Sequence, residues 1–179
     1  MRTILAGLAG GIAMFIWASI AHVATPLGEA GVSTLPNETA AMVAIEGSVG
    51  DRAGFYLFPM PAPNATAGEA GPAGLLVWRP NVLRSLNPAN LGTEFATEFV
   101  EALIAAVLLS VAAVSGFVPR VGFVLLVGLA AVITTNVSYW NWYGFPTNYT
   151  LPYALIELVG YAAAGVVIAL ILPKRAAVT

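Results

Sequence analysis

Glu94, Glu98 and Glu101 stand at i, i+4 and i+7 at the head of a long apolar stretch. That spacing puts all three carboxyl groups on one face of a helix. With a rise of ~1.5 Å per residue, Glu101 lies ~10 Å further along the axis than Glu94. Glu157 enters another apolar stretch to a similar depth, and His22 and Asn136 lie near the ends of two more. Ionisable groups inside a membrane are costly, and they face a bundle interior or a wet cavity. Carboxylates brought close together share a proton, and they ligate hard cations through oxygen. Histidine titrates near neutral pH. Glu98, Glu101, Glu157, His22 and Asn136 are therefore the candidate set for binding a proton or a cation.

A plainer reading stands beside this one. Acids in the first turns of a helix interact well with its macrodipole, and Glu94 and Glu98 could do only that. Arg79 or Arg84 would then pair with them as a structural tie. His22, the one histidine, could be a hydrogen-bonded anchor at the interface.

The chain offers little for other chemistries. It has no cysteine, which excludes disulfides, thiolate metal sites and cysteine nucleophiles. A single histidine argues against a zinc or haem site, so no metal and no cofactor is expected. No G-x-S-x-G, Walker A, H-E-x-x-H or dinucleotide fingerprint occurs, and no catalytic residue is assigned. A net charge of -2 gives no basic face for nucleic acid.

Aromatic residues are dense in the run Tyr139-Trp140-Asn141-Trp142-Tyr143-Gly144-Phe145. Tryptophan and tyrosine favour the headgroup level, so the run reads as an interfacial belt. Alternatively Trp140, Trp142 and Tyr143, with Trp78 and Tyr153, wall a pocket for an apolar or cationic ligand.

The elements that position these residues are membrane spans. With 59% hydrophobic and 9% charged residues, the chain cannot cover a globule with polar surface. About 20 residues cross a hydrocarbon core of ~30 Å. Four spans are expected: residues 1–24, 94–118, 121–137 and 151–173, with an aromatic loop at 138–150 and a tail at 174–179. Arg2, Arg120 in a tight turn at Val118-Pro119-Arg120, Lys174 and Arg175 fall on one side with no acid among them. The positive-inside rule makes that side cytoplasmic and both termini with it. All nine acids then lie on the other side or in the leaflet facing it. Ser19-Ile20-Ala21 also fits a signal-peptide cleavage pattern, although the apolar stretch is longer than a usual signal core. Gly7-xxx-Gly11, Ala6-xxx-Gly10 and Gly160-xxx-Ala164 supply close-contact faces, within one chain or between chains.

Residues 25–93 are too many for a plain loop. Asn37 fits an N-cap before an apolar run ended by Gly47 to Gly50, and Phe55-Tyr56-Leu57-Phe58 and Leu75-Leu76-Val77-Trp78 read as a hairpin. The stretch between, from Met60 to Ala73, is rich in Pro, Gly and Ala. The expected fold is an all-α transmembrane bundle of four helices with a small extracytoplasmic α+β cap.

The run Trp140-Asn141-Trp142-Tyr143-Gly144-Phe145, with a first span leading through Trp17 to Pro26-Leu27, resembles small bacterial four-span membrane proteins of no assigned function. The resemblance implies a bacterial inner membrane and carries over no catalytic residue. Three functions are open at this level. The first is a non-enzymatic subunit that assembles in the bilayer with itself or with a larger complex. The second is a small proton- or cation-coupled transporter or channel, and the third an enzyme acting on a lipid or envelope precursor.

Overall fold

A computed structural model describes residues 1–60, 71–82 and 87–173. The chain divides into two compact units. One holds residues 1–32 and the chain from 86 onward, and the other holds residues 33–85.

The larger unit is helical. It contains α1 (Arg2–Ala24), α3 (Pro88–Val111), α4 (Phe117–Val132), α5 (Ser138–Tyr143) and α6 (Thr147–Ile171), with a short 3-10 turn at Pro26–Glu29. A π turn at Ile133–Val137 joins α4 to α5, making one helix Phe117–Tyr143 of 27 residues. Among the described residues, three helices are long and apolar enough to cross a membrane: Arg2–Ala24, Phe117–Tyr143 and Thr147–Ile171. The second expected span, α3, has 24 residues but carries Glu94, Glu98 and Glu101, and these keep it out of that set.

The helices pack antiparallel through small residues. A β-carbon added at Gly7 would lie 2.8 Å from Leu103 Cα, and one at Gly11 would lie 2.7 Å from Phe99 Cα. One turn further, Phe15 meets Phe95 edge to face with centroids 5.6 Å apart. On another face of α1, Gly10 accommodates Ile168, and the Trp17 indole donates to Ile156 O at 2.8 Å. Gly165 of α6 lies against Val124 and Val121 of α4. Ala6, Ala102, Ala105, Ala106, Ala164 and Ile168 are fully buried where these faces meet. Without a hydrophobic drive between helices in lipid, such close contact is what holds a bundle together. The glycine faces read from the sequence are thus filled by the chain's own helices.

Several boundaries differ from the sequence reading, each for a local reason. Helix α3 begins at Pro88, not near Glu94: Asn87 caps it by accepting from Asn90 N–H at 2.9 Å, and Pro88 fits the first helical position. Glu94 and Glu98 are therefore past the first turn, which weakens a purely macrodipole role for them. At the other end α3 stops at Val111, and the connection to α4 is residues 112–116, where Gly116 takes φ 84. Pro119 is in the first turn of α4, where its missing N–H is no loss. Arg120 is accordingly helical and only 4% exposed, not in a turn. Its guanidinium donates to Ala169 O at 3.1 Å and Leu172 O at 3.2 Å. The donor that would normally serve Ala169 O is the nitrogen of Pro173, which has no hydrogen. Arg120 replaces it and adds positive charge at the negative end of α6. The aromatic run is helical through Tyr143, not a loop, and ends at Gly144 with φ 70. Lys174 and Arg175, Arg84 and residues 61–70 of the stretch from Met60 to Ala73 lie outside the described residues.

One recess is lined by Arg2, Thr3, Ser110, Ala112, Arg120 and Leu172. The start of α1, the end of α3, the start of α4 and the end of α6 therefore share one end of the bundle.

The smaller unit contains α2 (Glu38–Val49) and an antiparallel hairpin of β1 (Gly54–Phe58) and β2 (Gly74–Trp78), with Gly54 opposite Trp78 and Phe58 opposite Gly74. Asn37 caps α2 by accepting from Ala40 N–H at 3.1 Å. The Trp78 indole donates to Gly50 O at 2.8 Å and ties the hairpin to the end of α2.

Candidate functional site

Glu98, Glu101, Glu157 and His22 line one cavity of about 140 Å³, together with Glu94. Helix α3 supplies Glu94, Glu98 and Glu101 from one face, as their spacing requires. Helix α1 supplies Met14, Trp17 and His22, α6 supplies Tyr153, Ile156, Glu157 and Tyr161, and Ala131 comes from α4 and Thr135 from the π turn that follows it. Every helix of the bundle that is long enough to cross a membrane, and α3 besides, contributes to this one wall.

The carboxyl groups have different surroundings. Glu101 Oε2 accepts from the Tyr161 hydroxyl at 3.2 Å. Glu157 Oε2 accepts from Asn136 Nδ2 at 2.7 Å. Glu98 is 7% exposed, and its Oε2 is buried without a hydrogen-bond partner. An ionised carboxylate left so is costly in a low-dielectric setting, and a proton or positive ligand removes the cost. Among the described residues no three His, Asp or Glu side chains converge as a metal-ligand set. The carboxyl groups share a wall without closing on one point.

The π turn matters for Asn136. It shifts the phase of the helix by a fraction of a turn between α4 and α5, and Asn136 lies inside it. Asn136 is 7% exposed, and its amide donates to Thr135 Oγ1 at 3.1 Å as well as to Glu157. It does not line the carboxylate cavity. It lines a neighbouring recess with Glu157, Tyr149 and Tyr153, so Glu157 and Tyr153 stand between the two spaces.

His22 Nδ1–H donates to Ala18 O at 2.9 Å, and its ring meets Tyr153 edge to face at 6.0 Å. A chain of rings continues from there. Tyr153 stacks on Tyr149 at 5.5 Å, Tyr149 contacts Phe145 at 5.5 Å, and Phe145 stacks on Tyr139 at 5.6 Å. This ladder joins the cavity to the aromatic run.

The five aromatic residues singled out from the sequence separate. Tyr153 lines the cavity. Trp140 donates from its indole to Thr147 Oγ1 at 3.0 Å and is half exposed, and Trp142 is 79% exposed. Tyr143 contacts Tyr139 at 5.7 Å. Trp78 belongs to the smaller unit.

Sequence reasoning missed Trp17, Thr97, Thr135 and Tyr161. Tyr161 had a signal, since it follows Glu157 by four residues and so shares its face. Thr97 precedes Glu101 by four in the same way. Trp17 had none, because an indole in an apolar span reads as packing. Comparison with protein families, with curated proteins and with solved structures returned no match.

Proposed function

We propose that this chain is a four-span integral membrane protein that takes up and releases a proton or small cation at its carboxylate cavity, as a small transporter or channel. The observation that carries the reading is Glu98: a carboxyl group 7% exposed, with an unpartnered oxygen, on a cavity wall shared with Glu101 and Glu157. Such a group in a bilayer is a functional site by default, because its cost has no structural return. Glu101 and Glu157, each with one neutral donor, keep acceptor capacity for the same ligand.

In this reading α3 is the fourth span. Its support is the packing of Leu103 and Phe99 against the glycine face of α1, which leaves α3 alongside a span over several turns. The glutamates that lower its hydropathy point to the cavity rather than to lipid. Arg2 and Arg120 share one end of the bundle, and the positive-inside rule makes that end cytoplasmic. On these grounds we propose that both termini are cytoplasmic; a bacterial inner membrane is what the resemblance of the aromatic run implies.

Purified protein reconstituted in liposomes tests the proposal. Wild type dissipates an imposed proton or cation gradient, and Glu98→Gln, which keeps the shape and removes the charge, abolishes the flux. Equal flux in both would refute it. The reading as an accessory subunit loses ground, because its glycine contact faces are filled within the chain.

A further inference from the structure

We infer that the cavity takes a compact organic ammonium ion, held by Glu98 and by the rings of Trp17 and Tyr153; the inference rests on the reading of the cavity as a cation site.

The first reason is the shape of the donor set. Carboxylates on one wall that do not converge suit neither a small bare metal ion nor a tight cage. They suit a cation whose charge is spread over several atoms and which touches more than one wall.

The second reason is the rest of the wall. Met14, Trp17, Ala131 and Ile156 are apolar, so much of a guest's surface would rest against carbon and rings. Binding sites for small organic molecules combine such a wall with a few fixed polar groups. Quaternary and alkylated ammonium ions are recognised by aromatic faces together with a carboxylate.

The third reason is that the rings are held before any ligand arrives. The Trp17 indole is fixed by its bond to Ile156 O at 2.8 Å. Tyr153 is fixed between His22 and Tyr149. A pre-organised wall spends little of its binding free energy on ordering. Among the described residues, Glu98 Oε2 is the one buried side-chain polar atom left without a hydrogen-bond partner.

Size limits the guest. A dry cavity of roughly 150 Å³ admits a molecule the size of benzene. At about 140 Å³ this one has room for tetramethylammonium and not for a whole tetrabutylammonium ion.

Binding of tetramethylammonium and tetrabutylammonium to the full chain in lipid nanodiscs, followed by calorimetry and Trp fluorescence, tests the inference. Wild type should bind tetramethylammonium saturably and tetrabutylammonium not at all. Glu98→Gln and Trp17→Leu should each weaken binding by about tenfold or more, and Trp17→Phe, which keeps an aromatic face, by much less. Thermal unfolding of each variant shows that it is folded. Saturable binding unaffected by Glu98→Gln would overturn the inference. So would no binding by wild type. If gradient-driven flux in the same preparation still depended on Glu98, the inference alone would fail and the site would be a proton site. If flux were absent as well, both readings would fall.

Discussion

Replacing Gly11 by alanine tests the packing that forms the cavity. The added methyl would lie 2.7 Å from Phe99 Cα and 3.2 Å from the Glu98 carbonyl oxygen, both backbone atoms. No side-chain rotation relieves such a contact. Restoring an ordinary separation of 3.4 Å moves α1 and α3 apart by about 0.7 Å. Overpacking of this kind costs about 1–3 kcal/mol. Gly160→Ala is the matched control. Its new methyl would find Trp17 at 3.6 Å and Met14 beyond, which is normal contact. Both changes gain the same helix propensity, up to about 1 kcal/mol, so the difference between them isolates the clash. Unfolding of detergent-purified protein by SDS or heat should place Gly11→Ala about 1–3 kcal/mol below Gly160→Ala. Because the displaced backbone carries Glu98, flux should fall in Gly11→Ala; Gly160, which itself lines the cavity, serves as the control for stability only. Equal stability of the two variants would refute the α1–α3 contact and with it the geometry of the site.

Other perturbations follow from single contacts. Arg120→Met removes both donors from the Ala169 and Leu172 carbonyls and should cost about 2 kcal/mol or more in thermal unfolding, with faster hydrogen exchange in the last turn of α6. Tyr161→Phe removes the donor to Glu101 at 3.2 Å and should lower stability by about 1–2 kcal/mol while slowing flux without abolishing it. Asn136→Leu removes the 2.7 Å bond to Glu157 and should impair flux more than Trp142→Leu, since Trp142 is 79% exposed and lines neither space. In the smaller unit, Asn37→Ala should destabilise α2 by about 1 kcal/mol, read by circular dichroism, with flux unchanged.

The elements legible in the sequence were those with a local cause. The Asn37 cap, the hairpin Gly54–Phe58 with Gly74–Trp78, and the apolar spans at Arg2–Ala24 and Thr147–Ile171 follow from propensity and hydropathy alone. The shared face of Glu94, Glu98 and Glu101 follows from the period of a helix, and their meeting with Glu157 and His22 from their similar distances along antiparallel helices. Proline misled the reading at one place. Pro119 suggested a turn between helices, yet it lies in the first turn of α4, where a missing N–H costs nothing. The burial of Arg120 could not be foreseen, because it depends on Pro173 removing a donor from the end of a different helix. The π turn was equally hidden, since nothing in Ile133-Thr134-Thr135-Asn136-Val137 separates it from ordinary helix. Asn136, singled out from the sequence, donates to Glu157, but its place outside the carboxylate cavity was not foreseen.

A lipophilic carbodiimide, which attaches to carboxyl groups in apolar surroundings, reaches the central claim most directly. Membranes containing the protein would be treated, assayed for flux, and digested for mass spectrometry of each glutamate. Glu98 should be modified ahead of Glu29, Glu38 and Glu46, and flux should fall in step with its modification. Modification of the other glutamates with Glu98 untouched, or complete modification of Glu98 with flux intact, would contradict the account.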